Sequence, residues 1–184
     1  MKLTEAQKAL ARRALEENIK AGYCCSESVF GALVKSGVTG LPESAVALAA
    51  GLCAGAGGTG NTCGALTGAV MGLSAVYGRR DPIGERARMM KDADKTRAVN
   101  DPKQDYRYYM MRRFNNIPGD FKKEYGTVNC RDLLERVGGY QSPERPAGCQ
   151  SIMRTALEIA LKYIDMDQPE ADALPFADNI FGWE

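Results

Sequence analysis

The stretch Gly55-Ala-Gly-Gly-Thr-Gly-Asn-Thr-Cys-Gly-Ala-Leu-Thr-Gly68 decides how the rest of the chain is read. Gly55, Gly57 and Gly60 match G-x-G-x-x-G in form, but that fingerprint needs a preceding strand, and the alanine-rich segment before it reads as a helix. Dinucleotide binding is excluded on that ground. The remaining reading is a flexible turn running into a helix that opens with Cys63. There the free N–H groups of the first turn face the thiol and an anion, thiolate or cluster sulfide can be accepted. Gly64, Gly68 and Gly72 then recur at helical spacing. Each glycine weakens a helix by about 1 kcal/mol relative to alanine. Their expected use is close backbone approach by a neighbouring helix or by a bulky ligand, with this helix (about 62–77) at the centre of the fold.

Working outward, the apolar positions follow helical spacing and no alternating segment is bounded by hairpin turns, so the expected class is all-α. Thr4 with Gln7 forms a capping-box pattern ahead of a helix from Glu5 to about Ala21. Cys25 or Ser26 starts a second helix that ends near Gly37. Pro42 opens a third, with Cys53 inside it as a small core residue. Breaks at Pro82, Asn100-Asp-Pro102 and Pro118 delimit helices at about 83–96 and 103–116. In Tyr106-Arg-Tyr-Tyr-Met-Met-Arg-Arg-Phe114 the apolar side chains are expected inside and the arginines in water. A short helix carries Cys130 in its first turn and stops at Gly138-Gly139, and Gly148-Cys149 opens the last. Residues 1–165 therefore read as a single-domain bundle of about five to seven helices. The acidic tail 166–184, with Phe176, Ile180, Phe181 and Trp183, packs on it or on a second copy, and a homodimer is the corresponding expectation.

At 184 residues the chain can bury a core without disulfide staples. A net charge of +1 gives no electrostatic case for nucleic acid as partner. The apolar windows are too short to span a bilayer and no secretory h-region opens the chain, so no membrane insertion and a cytoplasmic location are expected. With no histidine, histidine-ligated zinc, axial-histidine haem, Ser-His-Asp triads and Cys-His pairs are all excluded.

Six cysteines remain as the reactive inventory. Cys25, Cys63, Cys130 and Cys149 each fall at an expected helix start, where the dipole stabilises a thiolate, and a thiolate is both nucleophile and metal ligand. No Cys-x-x-Cys pair occurs, which excludes zinc ribbons, ferredoxin runs and thioredoxin-type sites. The four would have to be gathered by tertiary folding. Cys24 reads as a spare thiol or a disulfide-exchange partner. Glu27, Arg131 and Asp132 lie near the proposed thiols in sequence and read as solvated surface residues.

The residues resemble the C_GCAxxG_C_C family of redox-active proteins. Cys63-Gly64-Ala65-Leu66-Thr67-Gly68 stands as the core, Cys25 in Cys-Ser-Glu-Ser-Val as the first cysteine, Cys130 after Tyr125-Gly126 as the third, and Cys149 as the last. The resemblance runs from Ala21 to about Lys162. It implies a small helical protein associated with an oxidoreductase or transporter, binding an iron–sulfur cluster or similar metal centre. The helical part of split-Soret cytochromes is similar, but no Cys-x-x-Cys-His is present, so haem does not carry over.

Three readings stay open. In the first, Cys25, Cys63, Cys130 and Cys149 hold an iron–sulfur cluster or zinc and support electron transfer, with Gly57, Gly58, Gly60, Gly64 and Gly68 lining the cofactor. In the second, the same cysteines are redox thiols that cycle as disulfide pairs without metal. In the third, the chain is a helical interaction module with structural cysteines.

Overall fold

The computed structural model describes residues 1–91 and 108–184, with only the backbone at 88–91 and 109. The capping box opens the chain: Gln7 N donates to Thr4 Oγ1 at 3.2 Å, and Thr4 N donates to Gln7 Oε1 at 3.0 Å. Two of the orphan donors at the start of α1 (Glu5–Lys20) are thereby satisfied. Gly22, at a φ of +83°, turns the chain into α2 (Cys25–Lys35). After a 3-10 helix at Glu43–Leu52 come α3 (Gly64–Tyr77), α4 (Pro82–Lys91), α5 (Tyr108–Tyr125), α6 (Cys130–Glu135), α7 (Arg145–Asp165) and α8 (Gln168–Asp172). The fold is all-α. The only extended pairing among the described residues is one isolated bridge, Thr62 with Asn129.

α3 is central and packs on α2, α5 and α7, while α1 lies across α2 and α7. The glycine stripe explains how α2 comes so close. A β-carbon on Gly68 would lie 2.6 Å from the Ser26 carbonyl oxygen, and one on Gly72 would lie 2.1 Å from Leu33 Cδ1. The helix gives up propensity at each glycine and gains backbone-to-backbone packing in return. Leu15, Leu33, Leu73, Ile117, Phe121, Leu157 and Ile164 fill the centre, each fully buried. Burial of one such side chain contributes on the order of 2 kcal/mol.

Three expectations are corrected. The third helix is 3-10 rather than α, and Cys53 is its C-cap in extended conformation (φ −63°, ψ 148°), not a mid-helix residue. Only Ala49 of that element is buried, and Leu48 stays exposed, so there is no apolar stripe to hold a full α-helix against the core.

Pro118 does not end its helix: α5 runs through it to Tyr125. The buried pair Ile117 and Phe121 pins both sides of the proline to the core. The expected spans 83–96 and 103–116 lie partly outside the described residues, as does Tyr106.

The arginines of that helix are not in water. Arg113 is 3 % exposed and donates to the carbonyls of Tyr163 (2.7 Å), Met166 (3.0 Å) and Asp167 (3.0 Å). Its guanidinium lies 3.9 Å from the Tyr77 ring centroid. It thus satisfies acceptors around the C-terminal end of α7, where helix carbonyls lack partners and a cation is favoured.

The tail folds back on α5. Tyr108 packs edge-on against Phe176 and Trp183, at 5.1 Å and 5.5 Å between centroids, and Arg112 covers Tyr108 and Phe176. Across α1 and α7, Arg12 pairs with Glu158 and Arg154 with Glu16 in two-pronged contacts. Among the described residues, no helix is long and apolar enough to cross a membrane.

Candidate functional site

The site begins with the turn after Cys53. Five successive residues, Ala54 to Gly58, have positive φ (51°, 79°, 62°, 64° and 80°), so the chain makes a left-handed turn. For Ala54 and Ala56 this costs roughly 1–2 kcal/mol each, and such strain persists only where the surroundings impose it. Gly55 is required twice over, because besides its positive φ a β-carbon there would lie 2.4 Å from Asn61 N.

The turn delivers residues 60–63 to the loop before α6. Cys63 N donates to Val128 O (2.8 Å), Cys130 N to Asn61 O (2.6 Å) and Arg131 N to Gly60 O (2.9 Å), around the Thr62–Asn129 bridge. Arg131 reinforces this latch by donating to Thr59 O at 3.0 Å. Asp132 braces the loop from below by accepting from Thr127 (2.6 Å) and Asn129 (3.2 Å).

Four elements now converge. Cys25 is the first residue of α2, Cys63 caps α3, Cys130 is the first residue of α6, and Cys149 comes from α7. All four line one enclosed pocket of about 40 Å³, walled by Leu133, Val137 and Ile152. Its polar inventory is sulfur, with no carboxylate among the lining residues.

A second, open cleft of about 380 Å³ adjoins it and reaches Cys25, Cys130 and Cys149 together with Cys24 and Cys53. Tyr23, Tyr140 and Arg145 also line this cleft, with the Arg145 guanidinium 4.6 Å from the Tyr140 ring centroid. All six cysteines are free thiols, and every one faces the pocket or the cleft.

A family model described as "Putative redox-active protein (C_GCAxxG_C_C)" matches residues 23–163, a span holding all six cysteines. The chain belongs to the C_GCAxxG_C_C family. Its class is therefore a redox-active protein family. No curated protein and no solved structure matches the chain.

The thiols of this family member are not lowered in pKa as the helix-start argument expects. Burial pushes Cys25 up to about 12, against a hydrogen bond from the Ala54 backbone that pulls it down. Cys130 is raised to about 11 by burial and by its neighbour Cys63. Cys63 and Cys149 are also raised, first by burial. Desolvation and mutual proximity outweigh the helix N-terminus, so in the metal-free form these sulfurs keep their protons. The counteracting groups are the backbone N–H donors of Ala65 and Leu66 at Cys63 and the Arg145 charge at Cys149.

Cys149 also departs from the expected position. α7 starts four residues earlier, at Arg145, with Pro146 in its first turn, so Cys149 is the fifth residue and not at the helix start. A proline preorganised for the first turn overrides Gly148 as the start signal.

The glycines divide. Gly64 seats Cys25, since a β-carbon there would lie 2.3 Å from its sulfur, and Gly68 is filled by the α2 backbone. Gly60 lies against Arg131, while Gly57 and Gly58 face open space. Among the described residues, no three Cys, Asp or Glu side chains are grouped as the ligands of one metal ion.

Cys53 is the residue that sequence reasoning assigned to the core and missed. Its sulfur accepts from the Cys25 S–H at 3.9 Å. The available signal was its place directly ahead of the glycine turn, which ends a helix rather than continuing it.

Proposed function

We propose that the chain is an electron-transfer protein whose Cys25, Cys63, Cys130 and Cys149 hold a compact iron–sulfur or related metal core. The observation that carries this reading is the sulfur-lined pocket assembled from four separate elements. Packing alone has no reason to bring the thiols of four elements to one apolar cavity. Soft thiolate ligands select iron–sulfur clusters and zinc over hard cations, and the lack of carboxylates in the lining fits that preference.

A set of thiols with no carboxylate beside it fits an iron–sulfur cluster or zinc, and the cluster is the one of the two that carries electrons. Such a centre supplies one-electron transfer, at a potential set by hydrogen bonds to sulfur and by solvent exposure.

The chain's own groups would set those two quantities. The N–H groups of Ala54, Ala65 and Leu66 donate to cysteine sulfur, while Leu133, Val137 and Ile152 keep water from the pocket. Because burial holds the free thiols protonated, loading releases protons and strengthens as pH rises.

The test is purification without oxygen followed by iron, zinc and acid-labile sulfide analysis and visible absorption spectroscopy. The expected protein is coloured and contains iron, and each of Cys25→Ser, Cys63→Ser, Cys130→Ser and Cys149→Ser lowers metal content while helicity by circular dichroism is kept. A colourless, metal-free protein that stays so after anaerobic reconstitution with iron and sulfide overturns the reading.

A further inference from the structure

We infer that Cys53 and Cys25 form a dithiol that exchanges with small-molecule disulfides entering through the open cleft. The inference concerns a sulfur outside the four-cysteine set and stands on separate geometry. Cys53 lies on the wall of the 380 Å³ cleft and is half-buried, whereas Cys63 and Cys130 are buried. Cys25 lines both cavities, so it joins the cleft to the enclosed pocket.

The two sulfurs are 3.9 Å apart, with Cys25 as donor and Cys53 as acceptor. A bond requires them to close to about 2.04 Å. On the Cys53 side the closing sulfur comes from a helix end rather than a helix interior. The residue ends the 3-10 helix in extended conformation and is followed by the left-handed turn.

Cys24 is the competing partner, since it too lines the cleft and interacts electrostatically with Cys53. It is exposed and its backbone N–H holds the Glu27 carboxylate at 2.9 Å, whereas the Cys25 sulfur lies 3.9 Å from that of Cys53 and borders both cavities.

The chemistry balances in two exchanges. Cys53 attacks one sulfur of a low-molecular-weight disulfide R–S–S–R, forming Cys53–S–S–R and releasing R–SH, which carries off the Cys53 proton. Cys25 then attacks the Cys53 sulfur, forming the Cys25–Cys53 disulfide and releasing the second R–SH with the Cys25 proton. Two protein thiols are oxidised and one small disulfide is reduced to two thiols. The cleft volume suits a molecule of that size.

A consequence rests on the metal reading above: the disulfide removes Cys25 from the four-thiol set, so oxidation of this pair and occupancy of the centre exclude one another.

The full chain, reduced and metal-free, is treated with oxidised glutathione at pH 8 and mapped by non-reducing peptide mass spectrometry. The expected result is loss of two of the six thiols and one linked peptide, Cys25 to Cys53. In Cys25→Ser the glutathione adduct accumulates on Cys53, and in Cys53→Ser no internal link to Cys25 forms. Circular dichroism establishes that each variant is folded, and Cys25→Ala serves as a second trap should the serine variant not fold. A Cys24–Cys53 link in the wild type, an adduct on Cys24 in place of Cys53, or no loss of thiols overturns the inference. The same treatment of iron-reconstituted protein separates the two proposals. Formation of the Cys25–Cys53 link in a chain that never takes up metal rejects the centre and leaves the exchange site standing. Uptake of iron with no link formed in the metal-free protein does the reverse.

Discussion

The Cys25 sulfur lies where Gly64 would carry its side chain: a β-carbon on Gly64 would sit 2.3 Å from that sulfur and 3.0 Å from the Leu52 carbonyl oxygen. Gly64→Ala must therefore push Cys25 out of the pocket or open the α2–α3 contact. The expected outcome is a destabilisation of about 1–3 kcal/mol, typical of overpacking, together with loss of bound metal. Urea unfolding and iron analysis check both. Gly57→Ala, facing open space at φ +64°, should cost stability through its backbone alone and leave metal content intact.

Gly68→Ala should destabilise more than Gly72→Ala. At Gly68 the obstacle is backbone, the Ser26 carbonyl oxygen and α-carbon at 2.6 Å and 3.2 Å, whereas at Gly72 it is the end of the Leu33 side chain. A rotamer change can relieve the second but not the first. The difference is expected at about 1 kcal/mol or more in urea midpoints. Equal costs would show that α2 shifts as a rigid body.

Reduced, metal-free protein should lose stability as pH rises above about 9. Cys25 and Cys130 are raised from 9.0 to about 12 and about 11, so the folded state binds protons more tightly than the unfolded chain. Their contribution is complete below the unfolded value near 9 and is lost as pH climbs through the folded values. The slope of stability against pH between 9 and 11 should flatten in Cys25→Ala. An unchanged slope would place the effect on other groups, such as Tyr163, which burial and Asp120 also raise.

Arg112→Ala should release the tail. The guanidinium donates to the Asp172 carbonyl at 3.0 Å and covers the rings of Tyr108 and Phe176. Trp183 is the one tryptophan of the chain and is 8 % exposed. Its emission should shift to longer wavelength, with a loss of about 1–3 kcal/mol for carbonyls left unpaired. Unshifted emission would mean that the ring cluster holds the tail by itself.

The helical class, the capping box at Thr4 and the centrality of α3 were legible because each is a local signal, a spacing or a cap. The Gly64–Gly68–Gly72 stripe was equally readable as a close approach, and its partner proved to be α2. Pro118 and Arg113 misled because tertiary contacts decided them: a buried Ile117–Phe121 face on one side, orphan carbonyls around the end of α7 on the other. Cys53 was misplaced when the alanine-rich segment was read as α-helix. A different helix type put its sulfur toward Cys25 and the cleft. The raised thiol pKa values likewise follow from burial, which no spacing rule reports.

The backbone bonds between residues 60–63 and 128–131 give the site a mechanical character of its own. Cys63 and Cys130 each donate their amide proton to the opposite segment, so neither sulfur can leave alone. Opening one side frees the other, and the two behave as a single cooperative unit. Their amide protons should therefore exchange with solvent deuterium at one common rate. Loading the pocket should slow both together, whereas the amide of Cys149, held within α7, should keep its own rate. A metal centre built this way is lost by unzipping one seam while the helical bundle behind it stays folded.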